Sequence, residues 1–99
     1  MKTYRITNGQ SAVVYSHVNA KGKVFLRVLS QDGTGTVKLW WTKGPFGKNN
    51  HLGRQSGDIA IDIEGFLWGK LKAQAVGTNV VIQITDDPSV KHNFPTISF

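Results

Sequence analysis

Residues 58–85 read DIAIDIEGFLWGKLKAQAVGTNVVIQIT, and apolar residues recur through them at every second position. Ile59, Ile61 and Ile63 fall on one side, with Ala60, Asp62 and Glu64 on the other. Glu64-Gly65 interrupts the run with a turn signal. Leu67, Gly69, Leu71, Ala73 and Ala75 then share a face opposite Trp68, Lys70, Lys72 and Gln74. Gly77-Thr78 turns again, and Val80, Ile82 and Ile84 resume the apolar row. Side chains alternate across a strand, so period-2 patterning predicts half-buried antiparallel strands. A helix would need apolar residues three and four apart, which this stretch lacks. Ile59, Ile61, Ile63, Leu71, Val80, Ile82 and Ile84 are therefore expected in one core.

The same period extends toward the N-terminus. Tyr4 and Ile6 mark a short first strand, closed by Asn8-Gly9. In the strand 11–18, Ala12, Val14, Ser16 and Val18 oppose Val13, Tyr15 and His17. In 23–30, Val24, Leu26 and Val28 oppose Phe25, Arg27 and Leu29; in 36–42, Val37, Leu39 and Trp41 oppose Lys38 and Trp40. Residues 43–56 hold Gly44, Pro45, Gly47, Asn49, Asn50 and Gly53, and read as a long loop. Asp86-Asp87-Pro88 is a stop. Short strands at intervals of roughly 10–12 residues predict an all-β fold, a small antiparallel β-sandwich or jelly-roll-like barrel of about seven strands. Residues 1–87 form that domain, and 88–99 an extended C-terminal arm carrying Phe94, Ile97 and Phe99.

Composition bounds the function. Ninety-nine residues make one domain with a thin core. Without cysteine there is no disulfide framework and no thiolate metal site. No apolar run reaches signal-peptide or membrane-span length, so a soluble chain made in the cytoplasm is expected, with no membrane span. Twelve Lys and Arg against six Asp and Glu give a net charge of +6. Residues 1–57 contribute nine of the bases and only Asp32 among the acids, a field that favours anionic partners such as nucleic acid or glycan.

Catalytic patterns are missing. His17, His51 and His92 show no ligand spacing. Asp62 and Glu64 lie about 7 Å apart on one strand face, a separation usable in glycoside hydrolysis. They read more simply as a solvated face, with Lys70 and Lys72 as cross-strand partners. Asp86-Asp87 lacks calcium-loop spacing, and Gly33-Thr34-Gly35 is a hairpin G-x-G without a following helix. No cofactor, metal or catalytic residue is expected, and the chain reads as non-enzymatic.

The aromatic residues carry more. Trp40 and Trp41 are adjacent, so one must face outward. Trp40, Phe66 and Trp68 all fall away from the inner row, and apolar area outside a small core marks a partner surface. With Phe94, Ile97 and Phe99 they form the expected partner interface, in a homo- or hetero-oligomer. Lys43, Lys48, His51 and Arg54 lie in a stretch, Gly33 to Gly57, without an acid, and form the expected anion-binding group. Two rival readings use the same residues. A carbohydrate-binding module would use Trp40 and Trp68 as a stacking platform. A single-stranded nucleic-acid-binding β-barrel would use the basic loop 43–54.

The stretch from Leu71 to Thr85, LKAQAVGTNVVIQIT, sits within a segment, 57–85, that resembles small β-sandwich accessory proteins of bacteriophage virions: decoration, vertex or spike-base subunits. The resemblance has no diagnostic motif and transfers no residue roles. It implies a non-enzymatic virion component that cements neighbouring subunits through outward aromatics and the terminal arm.

Overall fold

The computed structural model describes residues 2–18, 22–30, 33–43, 48–63, 68–87 and 94–97, with Lys43 and Lys48 described in their backbones. Nine strands are present: β1 (Lys2–Ile6), β2 (Ser11–Val18), β3 (Lys23–Ser30), β4 (Thr36–Lys43), β5 (Lys48–Gln55), β6 (Gly57–Asp62), β7 (Trp68–Val76), β8 (Val80–Thr85) and β9 (Thr96–Ile97). They form two sheets, in the orders β1-β8-β3-β6-β9 and β2-β7-β4-β5. β1 pairs with β8, β2 with β7, β3 with β6 and β4 with β5, all antiparallel. This nested pairing is one long two-stranded ribbon rolled into two facing sheets, the jelly-roll arrangement of a β-sandwich.

The expected core is observed. Ile59, Ile61, Ile63, Leu71, Val80, Ile82 and Ile84 are all buried, together with Val24, Leu26, Val28, Val37, Leu39 and Trp41. Alternation is clean in β8, where every second residue is buried. Burial of each large aliphatic side chain contributes roughly 1.5–3 kcal/mol, and among the described residues no polar side chain is fully buried.

Three expectations change. The run 58–85 is three strands, but consecutive ones do not pair: β6 and β8 lie in the first sheet, β7 in the second. Asp62 therefore has Lys23 as its register partner, not Lys70 or Lys72. Second, much of the expected loop 43–56 is strand β5, which runs back along β4 from Lys48. An edge strand tolerates Asn and Gly because only one side joins the ladder. Lys43, Lys48 and Arg54 thus lie in the ladder, while the connecting residues 44–47 fall outside the described part.

Third, β2 changes faces midway. Its pairing with β7 shifts between Val13 and Tyr15, and an extra residue in one strand reverses the alternation. Ala12 and Val14 face inward before the shift, Tyr15 and His17 after it, leaving Ser16 and Val18 outside. The described end of the arm, residues 94–97, joins the edge of the first sheet. β9 adds in parallel beside β6, with Ala60 opposite Thr96 and Ile61 opposite Ile97, and the Ala60 amide donates to the Pro95 carbonyl at 2.8 Å. Ala60, on the outer side of the sheet, is only 1% exposed.

Candidate functional site

The second sheet concentrates charge of one sign. Its four strands hold Lys38, Lys43, Lys48, Arg54, Lys70 and Lys72, half the basic residues of the chain, and no Asp or Glu. Pleating decides which of these share a face. Val37, Leu39 and Trp41 point into the core from β4, so Lys38, Trp40 and Thr42 point out. Leu71, Ala73 and Ala75 point in from β7, so Trp68, Lys70, Lys72 and Gln74 point out. Register then sets the neighbours: Trp40 lies opposite Lys72, Thr42 opposite Lys70 and Lys38 opposite Gln74.

On the far side of β4 a second irregularity matters. His51 and Arg54 are three residues apart, which in a regular strand puts them on opposite faces. The pairing of β5 shifts here: Leu39 lies opposite Gly53 and Trp40 opposite His51, so Leu52 is the extra residue and packs on the core. Gly53 adopts φ of 75°, a left-handed conformation that other residues reach with strain. The bulge returns Arg54 to the face of His51, where Arg54 lies opposite Lys38 and His51 opposite Trp40. The Trp40 and His51 rings meet edge to face with centroids 5.9 Å apart. Trp40 is half-buried, and Lys38, His51, Arg54, Lys70 and Lys72 are exposed around it.

The four cations Lys38, Arg54, Lys70 and Lys72 have no carboxylate partner among the described residues, whereas Arg27 in the first sheet pairs with Asp58 at 2.8 Å. That bond holds the Arg27 guanidinium further into its charged range. The margin of the second sheet is apolar instead. Strand β2 exposes Val13 and, at 78%, Val18, which lies opposite Trp68. Its outer edge has no strand neighbour among the described residues, and a groove of 360 Å³ separates it from the first sheet, lined by Lys2, Tyr4, Val13, Tyr15, Ser16 and Thr85.

A polar cluster sits beneath that margin. The Tyr15 hydroxyl donates to Asp86 Oδ2 at 2.7 Å. Burial first, and then this bond and the charge of Asp86, push the Tyr15 hydroxyl well above its ordinary range. His17 stacks on Trp41 with centroids 5.3 Å apart and planes 17° from parallel. Neither His17 nitrogen has a hydrogen-bond partner among the described residues, and burial lowers its pKa below the ordinary imidazole value. No group of three His, Asp or Glu suited to a metal ion occurs among the described residues.

The residues singled out in the sequence separate in space. Trp40, His51 and Arg54 come together on the outer face of the second sheet, and Trp68 stands at its margin. About 13 Å of strand separates the rungs of Trp68 and Trp40, too far for two indoles to grip one sugar ring. Phe94 and Ile97 lie on the other sheet and dock on their own chain. Phe94 meets Phe25 edge to face with centroids 5.9 Å apart and lies 5.9 Å from the Arg27 guanidinium. Ile97 packs against the core. Phe66, Phe99 and the side chains of Lys43 and Lys48 fall outside the described residues. Sequence reasoning missed Lys38, Lys70 and Lys72 as site members. The alternation Trp68-Lys70-Lys72 carried the signal, but only the β4–β7 pairing places it beside Trp40. No protein-family model, curated protein or solved structure matches the chain.

Proposed function

We propose that this chain is a non-enzymatic assembly protein, a structural subunit of a virion that associates with neighbouring subunits through the β2 margin of its second sheet. The observation that carries the reading is an edge strand without a partner among the described residues, flanked by exposed Val13 and Val18 and by half-buried Trp68. Unpaired N–H and C=O groups on an edge accept another strand, and adjacent apolar side chains add burial to the backbone pairing. The other three sheet margins are less available. β9 covers β6, and β5 carries Lys48 and Arg54, charges that oppose edge-to-edge pairing. β1 is short, five residues, with Lys2 and Arg5 exposed. The jelly roll is widely used in viral capsids, a fold-level analogy that supports the virion setting and assigns no residue.

Light scattering of the full chain against concentration tests the reading. Val13→Asp combined with Val18→Asp is expected to reduce the assembled mass while leaving the far-ultraviolet circular dichroism unchanged. A wild-type chain that stays monomeric at all accessible concentrations, or a variant whose mass is unaltered, rules the margin out.

A further inference from the structure

We propose that the cationic centre of the second sheet's outer face, Trp40 with Lys38, Arg54, Lys70 and Lys72, binds single-stranded nucleic acid. This goes beyond association at the β2 margin, uses different residues and does not depend on it. The charge of this face is uncompensated. Lys38 and Arg54 lie opposite each other across the ladder, an arrangement of like charges that destabilises a sheet. Lys70 and Lys72 are about 7 Å apart by strand rise, inside the ~10 Å screening length at 0.1 M salt. The four strands of this sheet contain no Asp or Glu, so nothing in them offsets the field. A polyanion laid across the face would.

The aromatic ring at its centre selects the polyanion. Trp40 is set among the cations, opposite Lys72 on one side and His51 on the other. Phosphate contacts from Lys and Arg combined with stacking on an aromatic ring is the mode by which single strands are held without sequence preference. A sugar ring meets an indole only through its C–H bonds and a lone indole grips it weakly, whereas every unpaired base offers a full π-face; in a duplex the bases are already stacked on one another. The face is also a sheet surface, open along its length, so a flexible strand can follow the row from Lys70 past Lys72 and Trp40 to Lys38 and Arg54.

Fluorescence anisotropy with a labelled mixed-sequence DNA single strand of about 16 nucleotides tests the proposal. If each of the four cations neutralises one phosphate, log affinity falls against log salt with a slope of about −2.8, near 50-fold between 50 and 200 mM. Replacing Lys70→Glu together with Lys72→Glu is expected to flatten the slope by about 1.4. Trp40→Ala is expected to weaken binding roughly 5- to 150-fold, the range for one lost base–aromatic stack. The pair Lys2→Glu and Arg5→Glu makes the same charge change on β1 of the other sheet and should leave the slope near its wild-type value. If the Glu pair disturbs folding, Lys70→Gln with Lys72→Gln reads the same slope. No binding at low salt, an equal loss in the β1 control, or a sulfated polysaccharide or matched duplex bound as tightly as the single strand, would each overturn the proposal.

Discussion

Gly69→Ala should be among the costliest single substitutions in the chain. Gly69 is buried on the inner side of β7, in register with His17 on β2 and Lys43 on β4. The Trp41 indole reaches from β4 across this position to stack on His17. A β-carbon at Gly69 would stand 2.4 Å from Trp41 Cζ2 and 2.9 Å from Cε2. The ring is rigid and fully buried, so it cannot yield at its tip as a flexible chain would. Overpacking costs about 1–3 kcal/mol, and expelling the indole would approach the 3–5 kcal/mol of a buried Trp lost to Ala. A loss of about 2–4 kcal/mol follows. At 4–8 °C per kcal/mol for a chain of this size, the midpoint falls by at least about 8 °C. Thermal unfolding followed by near-ultraviolet circular dichroism measures it. Trp41→Phe shortens the ring, so the double variant should recover at least about 1 kcal/mol relative to additivity. A Gly69→Ala loss below about 0.5 kcal/mol, or strict additivity with Trp41→Phe, would refute the packing argument.

Three further outcomes follow from the same structure. Ile61→Ala or Ile82→Ala should cost about 2–5 kcal/mol by urea unfolding, since both side chains are fully buried between the sheets. Removing residues 88–99 uncovers the β6 edge and Phe25, and should lower stability by about 2 kcal/mol while leaving the assembled mass unchanged; a stable but dissociated protein would return the arm to the interface. His17 has its pKa depressed by burial, so the native state binds fewer protons than the unfolded one in acid. Its contribution is complete above the ordinary imidazole value of 6.5 and declines as pH falls below it toward the folded value. His17→Phe should shrink that acid-side loss in a stability-against-pH series, whereas an unchanged profile would place the acid sensitivity elsewhere.

How much of this was legible in the sequence depends on what sets each feature. Which residues of β3, β4, β6, β7 and β8 face the core follows from a local period of two, and the sequence shows that period directly. Pairing does not, because the rolled ribbon joins strands far apart in the chain: β1 meets β8, and β6, β7 and β8 alternate between sheets although their sequences run on without a break. Bulges hide for a different reason. The extra residues near Val14 and at Leu52 change the parity of β2 and β5 without altering composition, so Tyr15 and His17 turn inward and Arg54 joins His51. The glycine and asparagine content of β5 resembles a loop because an edge strand needs only half the ladder. The basic face was visible as an acid-poor first half of the chain, yet Lys70 and Lys72 come from the second half and reach it only through the β4–β7 register.

Hydrogen–deuterium exchange on the full chain, at concentrations above and below assembly, tests the working surface most directly. Added protection is expected in Ser11–Val18 and at Trp68, with Thr96–Ile97 unchanged because that strand is already paired within the chain. Protection that grows instead at 94–97 or along β5, with β2 unaffected, would contradict assembly through the β2 margin.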